Sequence, residues 1–328
     1  MPDSPIIWFD RRPVPELAEL APPEATIEWP ESDDPLDGID RADGVIAGAS
    51  IIYDRDVFSL ATKLRVLVRA GIGFDNIVLS DATAAGVAAC NTPDGPTIST
   101  AEHALALIFS VTKGLKQSEN RLQRQEGNYG PNHNALELDG ARLTLIGLGR
   151  IGSRVAKVAT AAGIHVTAYD PFESDERFEA LGVTRSTDLG EAVSEAQIVS
   201  IHAPLSPQTR HLVDSNLIGG MRDGVFIVNT ARGGLIDDDA LLEALDSGKV
   251  GGAGLDVTEP EPLPSGHALL EHESVLVTPH VASATTAGRN RIFTMALDQV
   301  VAALAGIKPS HILNPEVWPG RNSNNEDA

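Results

Sequence analysis

The sequence predicts an α/β protein whose parallel sheets are covered by helices on both faces. Short apolar runs rich in β-branched residues alternate with segments of helical periodicity, which is typical of this class. The chain has 328 residues, 42% of them hydrophobic, and is long enough for two domains. The predicted strands are Ile6–Phe9, Gly44–Ala47, Arg65–Val68, Leu143–Ile146, His165–Tyr169, Ile198–Ile201, Val225–Val228 and Val275–Val277.

The charge of the chain argues against nucleic-acid and membrane partners. The 25 basic and 46 acidic residues give a formal charge of −21, which repels phosphate backbones and anionic lipid surfaces. A solubilising or salt-adapted surface is the simplest source of the surplus. No stretch approaches the length of an apolar membrane span, so we expect a cytoplasmic protein. The single Cys90 follows Val87-Ala88-Ala89 and is expected to be packed in a strand.

One long helix is predicted from Ser99 to about Gln125, and it is a candidate for joining two domains. It opens with the capping-box pattern Ser99-x-x-Glu102 and is apolar early and polar late. Residues 126–139 are rich in Gly, Pro and Asn, which predicts a loop. The closing segment RNSNNEDA is polar enough to be disordered.

A glycine pattern between a predicted strand and a predicted helix indicates a dinucleotide site. In LTLIGLGRIGSRVA, Gly147 would make the tight turn, Gly149 would let the backbone approach a pyrophosphate, and Gly152 would permit close helix packing. The amide groups around Arg150 and Ile151, at the start of the helix, would meet the phosphate charge.

The acidic residue at the end of the next strand bears on the choice of cofactor. A carboxylate at Asp170 would accept hydrogen bonds from the adenosine ribose and repel a 2′-phosphate, so NAD is favoured over NADP. Taken alone, Asp170 is also compatible with a helix cap or a turn.

Three polar residues follow successive predicted strands and form a candidate catalytic set. Arg232 follows GVFIVNTA, Glu261 lies in GLDVTEPEP and His280 ends SVLVTPH. Because the carboxyl ends of parallel strands line the ligand crevice, we expect these side chains to converge. A guanidinium grips a carboxylate with two hydrogen bonds, and Gly233 and Gly234 would let a substrate approach the backbone.

His280 and Glu261 would divide the proton chemistry of hydride transfer. The imidazole can take the hydroxyl proton in one direction and donate it to the carbonyl in the other. Glu261 would orient the ring and stabilise its imidazolium form. Singly, each residue is also compatible with a structural role, and it is their joint placement that indicates a site.

The motifs together resemble those of the D-isomer-specific 2-hydroxyacid dehydrogenases. In the second half of the chain the resemblance rests on GLGRIGSRVA, Asn229-Thr-Ala-Arg-Gly-Gly, Gly254-Leu-Asp-Val-Thr-Glu-Pro-Glu-Pro and Thr278-Pro-His. In the first part it rests on Arg69-Ala-Gly-Ile-Gly-Phe-Asp-Asn and Asn91-Thr-Pro-Asp-Gly-Pro-Thr-Ile-Ser-Thr-Ala-Glu. It runs from about Ala42 to Asn314.

The resemblance implies two doubly wound domains, one Rossmann-like and one flavodoxin-like, with the cofactor domain inserted in the substrate domain. Residues 1–101 and 283–328 would then form the substrate domain, and residues 102–282 the NAD-binding domain. The cofactor would be NAD or NADH, and the protein would be a homodimer. We predict no metal site.

The resemblance also implies roles for individual residues. The catalytic residues would be Arg232, Glu261 and His280, with Glu261 rather than Glu259 at the right spacing from Asp256. Asp256 would approach the nicotinamide amide. The substrate carboxylate would bind at Gly71, Ile72 and Gly73; Thr230 and Ala231 would border the nicotinamide; and His202, Pro204 and Thr209 would border the adenosine and phosphates.

Two segments resemble phosphoglycerate dehydrogenases most closely, yet one position departs from that pattern. Those enzymes commonly carry an arginine and a serine where this chain has Gly48 and Ala49. Without that cation a dianionic phosphate should bind weakly, so we favour a small unphosphorylated keto acid such as glyoxylate or hydroxypyruvate. Phosphoglycerate stays the second choice, with Arg55 as a candidate phosphate contact.

Two other functions remain as alternatives. The first is an NAD(H)-sensing interaction protein, similar to the transcriptional corepressors that share this fold. The second is formate oxidation. The related enzymes that oxidise formate carry glutamine where this chain has Glu261, which argues against this alternative.

Overall fold

The chain forms two compact units, one inserted in the sequence of the other. The computed structural model describes residues 4–13, 15, 20, 22–131 and 133–318. The first unit comprises Met1–Pro96 and Thr285–Ala328, and the second comprises Thr97–Ala284. The segment RNSNNEDA, which the sequence predicts to be disordered, lies outside the described residues.

The described residues of the first unit form a five-stranded parallel sheet in the order β2-β1-β3-β4-β5. This is the order of a flavodoxin-like sheet. Its strands are β1 (Ile6–Phe9), β2 (Thr26–Glu28), β3 (Gly44–Ala47), β4 (Val66–Arg69) and β5 (Ala88–Asn91). Its helices are α1 (Arg55–Leu60), α2 (Leu79–Ala84) and, after the second unit, α11 (Thr286–Leu304).

The described residues of the second unit form a seven-stranded parallel sheet in the order β12-β11-β10-β9-β6-β7-β8, the Rossmann arrangement. Its strands are β6 (Arg142–Ile146), β7 (His165–Tyr169), β8 (Thr184–Ser186), β9 (Ile198–Ile201), β10 (Val225–Asn229), β11 (Val250–Leu255) and β12 (Val275–Val277). Its helices are α3 (Thr97–Thr112), α4 (Leu115–Gln123), α5 (Arg150–Ala161), α6 (Asp175–Leu181), α7 (Leu189–Ser194), α8 (Ser215–Gly220), α9 (Asp238–Asp246) and α10 (Ala268–Glu271). The predicted α/β class with two doubly wound parallel sheets is confirmed.

The long helix predicted from Ser99 to Gln125 is wrong in two respects. It is broken at Gly114, whose φ of 57° lies in the left-handed region, so α3 and α4 are separate helices. The first helix already begins at Thr97, which places Ser99 inside it rather than at its cap. Both helices belong to the second unit.

The second sheet is buried on both faces, which explains its continuous apolar strands. Along β6, Leu143 and Leu145 belong to one buried cluster and Ile146 to the cluster on the opposite face. Each such side chain contributes about 1.5–3 kcal/mol by leaving water. Thr144, also buried, donates its hydroxyl to the Ala192 carbonyl at 2.6 Å. None of the helices in the described ranges has the length and apolar character to cross a membrane.

Candidate active site

The glycine loop of the second unit is shaped by two close backbone approaches. Gly147 has a φ of 101°, and a Cβ there would lie 2.8 Å from the backbone carbonyl of His202. A Cβ at Gly152 would lie 2.2 Å from the Gly147 oxygen, so neither position accepts a side chain. A Cβ at Gly149, which directly precedes α5, would meet no atom within 4 Å. Open space therefore lies beside Gly149, directly before the first residues of that helix, Arg150 and Ile151.

Two buried polar atoms that directly follow strands of this sheet lack hydrogen-bond partners among the described residues. They are Nδ1 of His202 and Oγ1 of Thr230, which follow β9 and β10. An unpaired buried polar atom costs about 1–3 kcal/mol, so a ligand that supplies the missing partners would remove this penalty. Both residues are among those predicted to border the cofactor, and the residues present therefore fit a bound dinucleotide.

The imidazole of His202 is neutral at physiological pH. Burial lowers its pKa to about 4, and its Nε2 lies 3.0 Å from Oγ of the buried Ser200. The ring therefore adds no positive charge beside a cofactor phosphate. The amides at the start of α5 are left to meet that charge.

Asp170 connects the glycine loop to the end of β7. Its Oδ2 accepts a hydrogen bond from the Leu148 amide at 2.8 Å, and its Oδ1 accepts one from the Phe172 amide at 2.9 Å. The turn role that the sequence left open is thus present. Each carboxylate oxygen has a further lone pair, so the ribose role stays a prediction.

Pro204 and Thr209, which are predicted to border the adenosine and phosphates, lie in one loop that is held together by hydrogen bonds within the loop. The Thr209 hydroxyl donates to the Pro204 carbonyl at 2.7 Å and accepts from the Ser206 amide at 2.8 Å. These bonds fix the loop after β9 without any contribution from a ligand.

Arg232 is positioned by a buried asparagine at the end of β10. Oδ1 of Asn229 accepts from the Ala231 amide at 2.9 Å, and its Nδ2 donates to the Arg232 carbonyl at 2.8 Å. The Arg232 guanidinium itself donates to the Ala231 carbonyl at 2.7 Å. Asn229 belongs to the motif Asn229-Thr-Ala-Arg-Gly-Gly, but its role in holding the backbone of Arg232 in place was not predicted.

The glycine after Arg232 serves a different purpose from the predicted one. A Cβ at Gly233 would lie 2.1 Å from the Thr258 carbonyl carbon and 2.7 Å from the Glu259 amide. The space beside Gly233 is occupied by the neighbouring loop, so the prediction that it admits a substrate is wrong. Gly233 instead brings the loop of Arg232 against the loop that carries Glu261.

His280 and Glu261 form a short hydrogen bond, with 2.5 Å between Nδ1 and Oε1. Both side chains are half-exposed, at 34% and 40%. Because Nδ1 is engaged by the carboxylate, Nε2 is the ring nitrogen left to exchange a proton. Burial favours protonated Glu261, but the hydrogen bond and charge of His280, together with the Arg232 charge, outweigh it and hold the pKa of Glu261 below its usual range.

The two glutamates of the TEPEP segment have different partners. Glu259 forms a two-pronged ion pair with Arg210, at 2.8 and 3.2 Å, while Glu261 contacts His280. β10, β11 and β12 are neighbours in the sheet, which explains why the segments that follow them meet. Arg232, Glu261 and His280 are therefore brought together at one edge of the second unit.

Asp256, predicted to approach the nicotinamide amide, has a wholly buried carboxylate with partners inside the unit. It accepts hydrogen bonds from the Thr278 hydroxyl at 2.6 Å and from the Val281 and Ala282 amides at 2.9 Å each. These contacts tie the end of β11 to the segment that carries His280.

In the first unit, the loop Gly71-Ile72-Gly73, which is predicted to bind the substrate carboxylate, is held by hydrogen bonds from residues at the end of β5. Nδ2 of Asn91 donates to the Ile72 carbonyl at 2.7 Å, and the Thr92 amide donates to the Gly71 carbonyl at 2.9 Å. These bonds use the carbonyl oxygens of the loop.

A carboxylate lies beside the position where the phosphoglycerate pattern has arginine. The Gly48 amide donates to Oδ2 of Asp10 at 2.5 Å, and a Cβ at Gly48 would lie 2.6 Å from the same oxygen. Burial raises the pKa of Asp10. Position 48 therefore accepts no larger side chain unless Asp10 moves.

Residues 105–282 match the family model of the NAD binding domain of D-isomer specific 2-hydroxyacid dehydrogenases, which is more than half of the chain. The chain belongs to this family. The family predicted from the motifs is confirmed, and the matched part of the chain is the NAD binding domain of that family.

Curated and solved relatives agree with this family. The chain is 38% identical over 279 residues to D-3-phosphoglycerate dehydrogenase of Methanocaldococcus jannaschii, an alignment covering 85% of this chain and 53% of that protein. It is similar to the solved D-lactate dehydrogenase of Aquifex aeolicus, complexed with NAD and lactic acid, with a TM-score of 0.80, 28% identity and coverage of 95% and 97%. It is also similar to a solved glyoxylate reductase of Paecilomyes thermophila, with a TM-score of 0.83, 26% identity and coverage of 96% and 100%. The chain spans about half the length of the curated relatives it matches.

Proposed function

We propose that the protein is an NAD-dependent D-2-hydroxyacid dehydrogenase that interconverts a small 2-keto acid and its 2-hydroxy acid. The observation that carries the proposal is the 2.5 Å bond between Nδ1 of His280 and Glu261. It leaves Nε2 of His280 as the acid and base, and the fixed cation Arg232 is near enough to Glu261 for its charge to help lower the pKa of that carboxyl.

The proposed division of labour follows from these three side chains. Bound NADH would supply the hydride to the carbonyl carbon. Nε2 of His280 would give its proton to the carbonyl oxygen, and it would take the proton back in the reverse direction. Glu261 stabilises the imidazolium form and fixes the ring orientation. Arg232 grips the substrate carboxylate.

The two units would then have different tasks. We assign the cofactor to residues 102–282 and the substrate to residues 1–101 and 283–328. Gly71, Ile72 and Gly73 would bind the substrate carboxylate through their backbone. The protein would act as a homodimer, which light scattering on the purified protein would test.

Specific residues of the second unit would hold the cofactor. Gly147, Gly149 and Gly152, with the amides of Arg150 and Ile151, would bind the pyrophosphate. Asp170 would select NAD by its ribose. The nicotinamide would lie beside Thr230, Ala231 and Asp256, and the adenosine and phosphate side beside His202, Pro204 and Thr209.

We propose that the substrate is unphosphorylated, with glyoxylate and hydroxypyruvate as the leading candidates. Gly48 and Ala49 supply neither the arginine nor the serine of the phosphoglycerate pattern, and the Asp10 carboxylate lies against Gly48, with the Arg11 guanidinium also close by. The similarity to a solved glyoxylate reductase supports this choice. The second candidate, 3-phosphoglycerate, is supported by the 38% identity to a D-3-phosphoglycerate dehydrogenase.

The test is NADH oxidation by the purified protein with glyoxylate, hydroxypyruvate, pyruvate and 3-phosphohydroxypyruvate, with NADPH run in parallel. We expect turnover of an unphosphorylated acid with NADH. A preference for the phosphorylated acid would favour the second candidate. Binding of NADH without turnover of any acid would favour an NAD(H)-sensing protein instead.

A further inference from the structure

The segment that carries His280 is folded around the buried carboxylate of Asp256. Three hydrogen bonds from Thr278, Val281 and Ala282 end on its two oxygens, at 2.6 to 2.9 Å. The Asp256 carbonyl also accepts the amide of His280 at 2.8 Å. Residues on both sides of His280 are therefore fixed to one side chain.

The hydrogen bonds around the Asp256 carboxylate form a clamp on the segment that carries His280, and a histidine from a distant helix takes part in it. Nε2 of His103, on α3, lies 2.9 Å from Oγ1 of Thr278 and 3.4 Å from Oδ1 of Asp256. The hydroxyl of Thr278 donates its single proton in a hydrogen bond to Asp256, so its oxygen accepts a hydrogen bond from the N–H at Nε2 of His103. The result is a chain of hydrogen bonds from His103 through Thr278 to Asp256.

The backbone at His280 needs such support. Its φ of 51° lies in the left-handed region, which residues with a side chain rarely adopt. Such a conformation persists when the surrounding contacts determine it. Without the clamp the segment would relax to ordinary angles, and the imidazole would leave the geometry in which Nδ1 meets Glu261.

We propose that His103 is a positioning residue for the reaction, holding His280 against Glu261 through Thr278 and Asp256. The hydrogen bond and ion pair found for His103 among the described residues go to Thr278 and Asp256 rather than to His280 or Glu261, and its side chain is 23% exposed. The proposal rests on the proposed function, since it concerns the residue assigned as its acid and base.

The test compares His103→Ala with His103→Gln, whose amide keeps an N–H donor. His165→Ala serves as the control, because His165 is an exposed histidine of the same unit at the start of β7. Three quantities are measured for each variant: kcat for keto-acid reduction, the KM for NADH, and the imidazole signals of His280 in ¹H–¹⁵N spectra.

We expect His103→Ala to lower kcat roughly fivefold to thirtyfold, as befits one lost hydrogen bond to a charged network, with the KM for NADH nearly unchanged. The His280 signal should move in this variant, and His103→Gln should restore most of both. The control should match the wild type.

Thr278→Val removes the middle of the chain and tests it independently of the histidine. This variant should resemble His103→Ala, and the double variant should lose little more, since the two act through one chain. Losses that simply add, or a His103→Ala protein with unchanged kcat and unchanged His280 signal, would overturn the proposal. If the wild type turns over no keto acid, the His280 signal still decides whether His103 positions that ring.

Discussion

Replacing Glu261 with glutamine tests the central pair of the site. Glutamine keeps the size of the side chain and an oxygen for Nδ1 of His280, but it removes the charge that stabilises imidazolium. A hydrogen bond to a charged group contributes about 1.5–3 kcal/mol. Since both side chains are more than a third exposed, solvent screening favours the lower half of that range, roughly 1.5–2 kcal/mol. At 1.36 kcal/mol per factor of ten, kcat should fall roughly tenfold to thirtyfold.

The assay is steady-state NADH oxidation at saturating keto acid, with NADH affinity measured separately by fluorescence. Glu259→Gln is the matched control, because it makes the same change two residues earlier in a side chain paired with Arg210. NADH affinity should be unchanged in both variants, and the kcat of the control should stay near that of the wild type. A Glu261→Gln enzyme within twofold of the wild type, or equal losses in both variants, would refute the assigned role.

Three further predictions concern cofactor choice and stability. Asp170→Ala should lower the preference for NADH over NADPH by about tenfold in kcat/KM, because the group that repels a 2′-phosphate is gone; an unchanged ratio would mean another residue reads the ribose. Asp238→Asn should raise the free energy of unfolding by about 1–2 kcal/mol above pH 6, because burial raises the pKa of Asp238 to about 6 and ionisation of this carboxyl destabilises the native state. Denaturation at a series of pH values should show this gain shrinking as the pH falls from about 6 to about 4. A gain that does not depend on pH would contradict this prediction. Gly233→Ala should destabilise the protein by more than about 2 kcal/mol, whereas Gly219→Ala, in a helix with open space at the Cβ, should stabilise it by about 0.5–1 kcal/mol; equal thermal midpoints would contradict this.

Most of the strands predicted from the sequence are buried along nearly their whole length. Apolar runs such as β6 and β10 can be recognised as strands in the sequence because nearly every side chain lies in a core. The short strands β2 and β8, each three residues at a sheet edge, carry polar side chains and little periodicity.

The glycine-rich strand β11 shows how packing can override propensity. Its sequence VGGAGL has few side chains of the kind that favour strands. A Cβ at Gly251 or Gly252 would lie 2.8 Å from a neighbouring backbone oxygen, and one at Gly254 would lie 3.0 Å from Leu107. These glycines are explained by atoms that come from other elements, which no local pattern reveals.

The same limit applies to the candidate site. Strand ends followed by Arg232, Glu261 and His280 could be located in the sequence because each residue lies next to its own strand. The residues that hold these side chains in place could not be located from the sequence. The contact of Gly233 with Thr258, and that of His103 with the segment after β12, join residues far apart in the chain. Nothing in the helical segment that contains His103 distinguishes it from an ordinary helix-surface histidine.

A single-turnover experiment tests the account most directly. Protein with bound NADH is mixed with hydroxypyruvate in a stopped-flow instrument, and the decay of NADH absorbance is followed for the wild type and for His280→Ala. We predict rapid decay in the wild type and a decay slower by roughly 10²–10⁴-fold in the variant, at equal NADH occupancy. Equal decay in the two proteins would contradict the assignment of His280 as the acid and base.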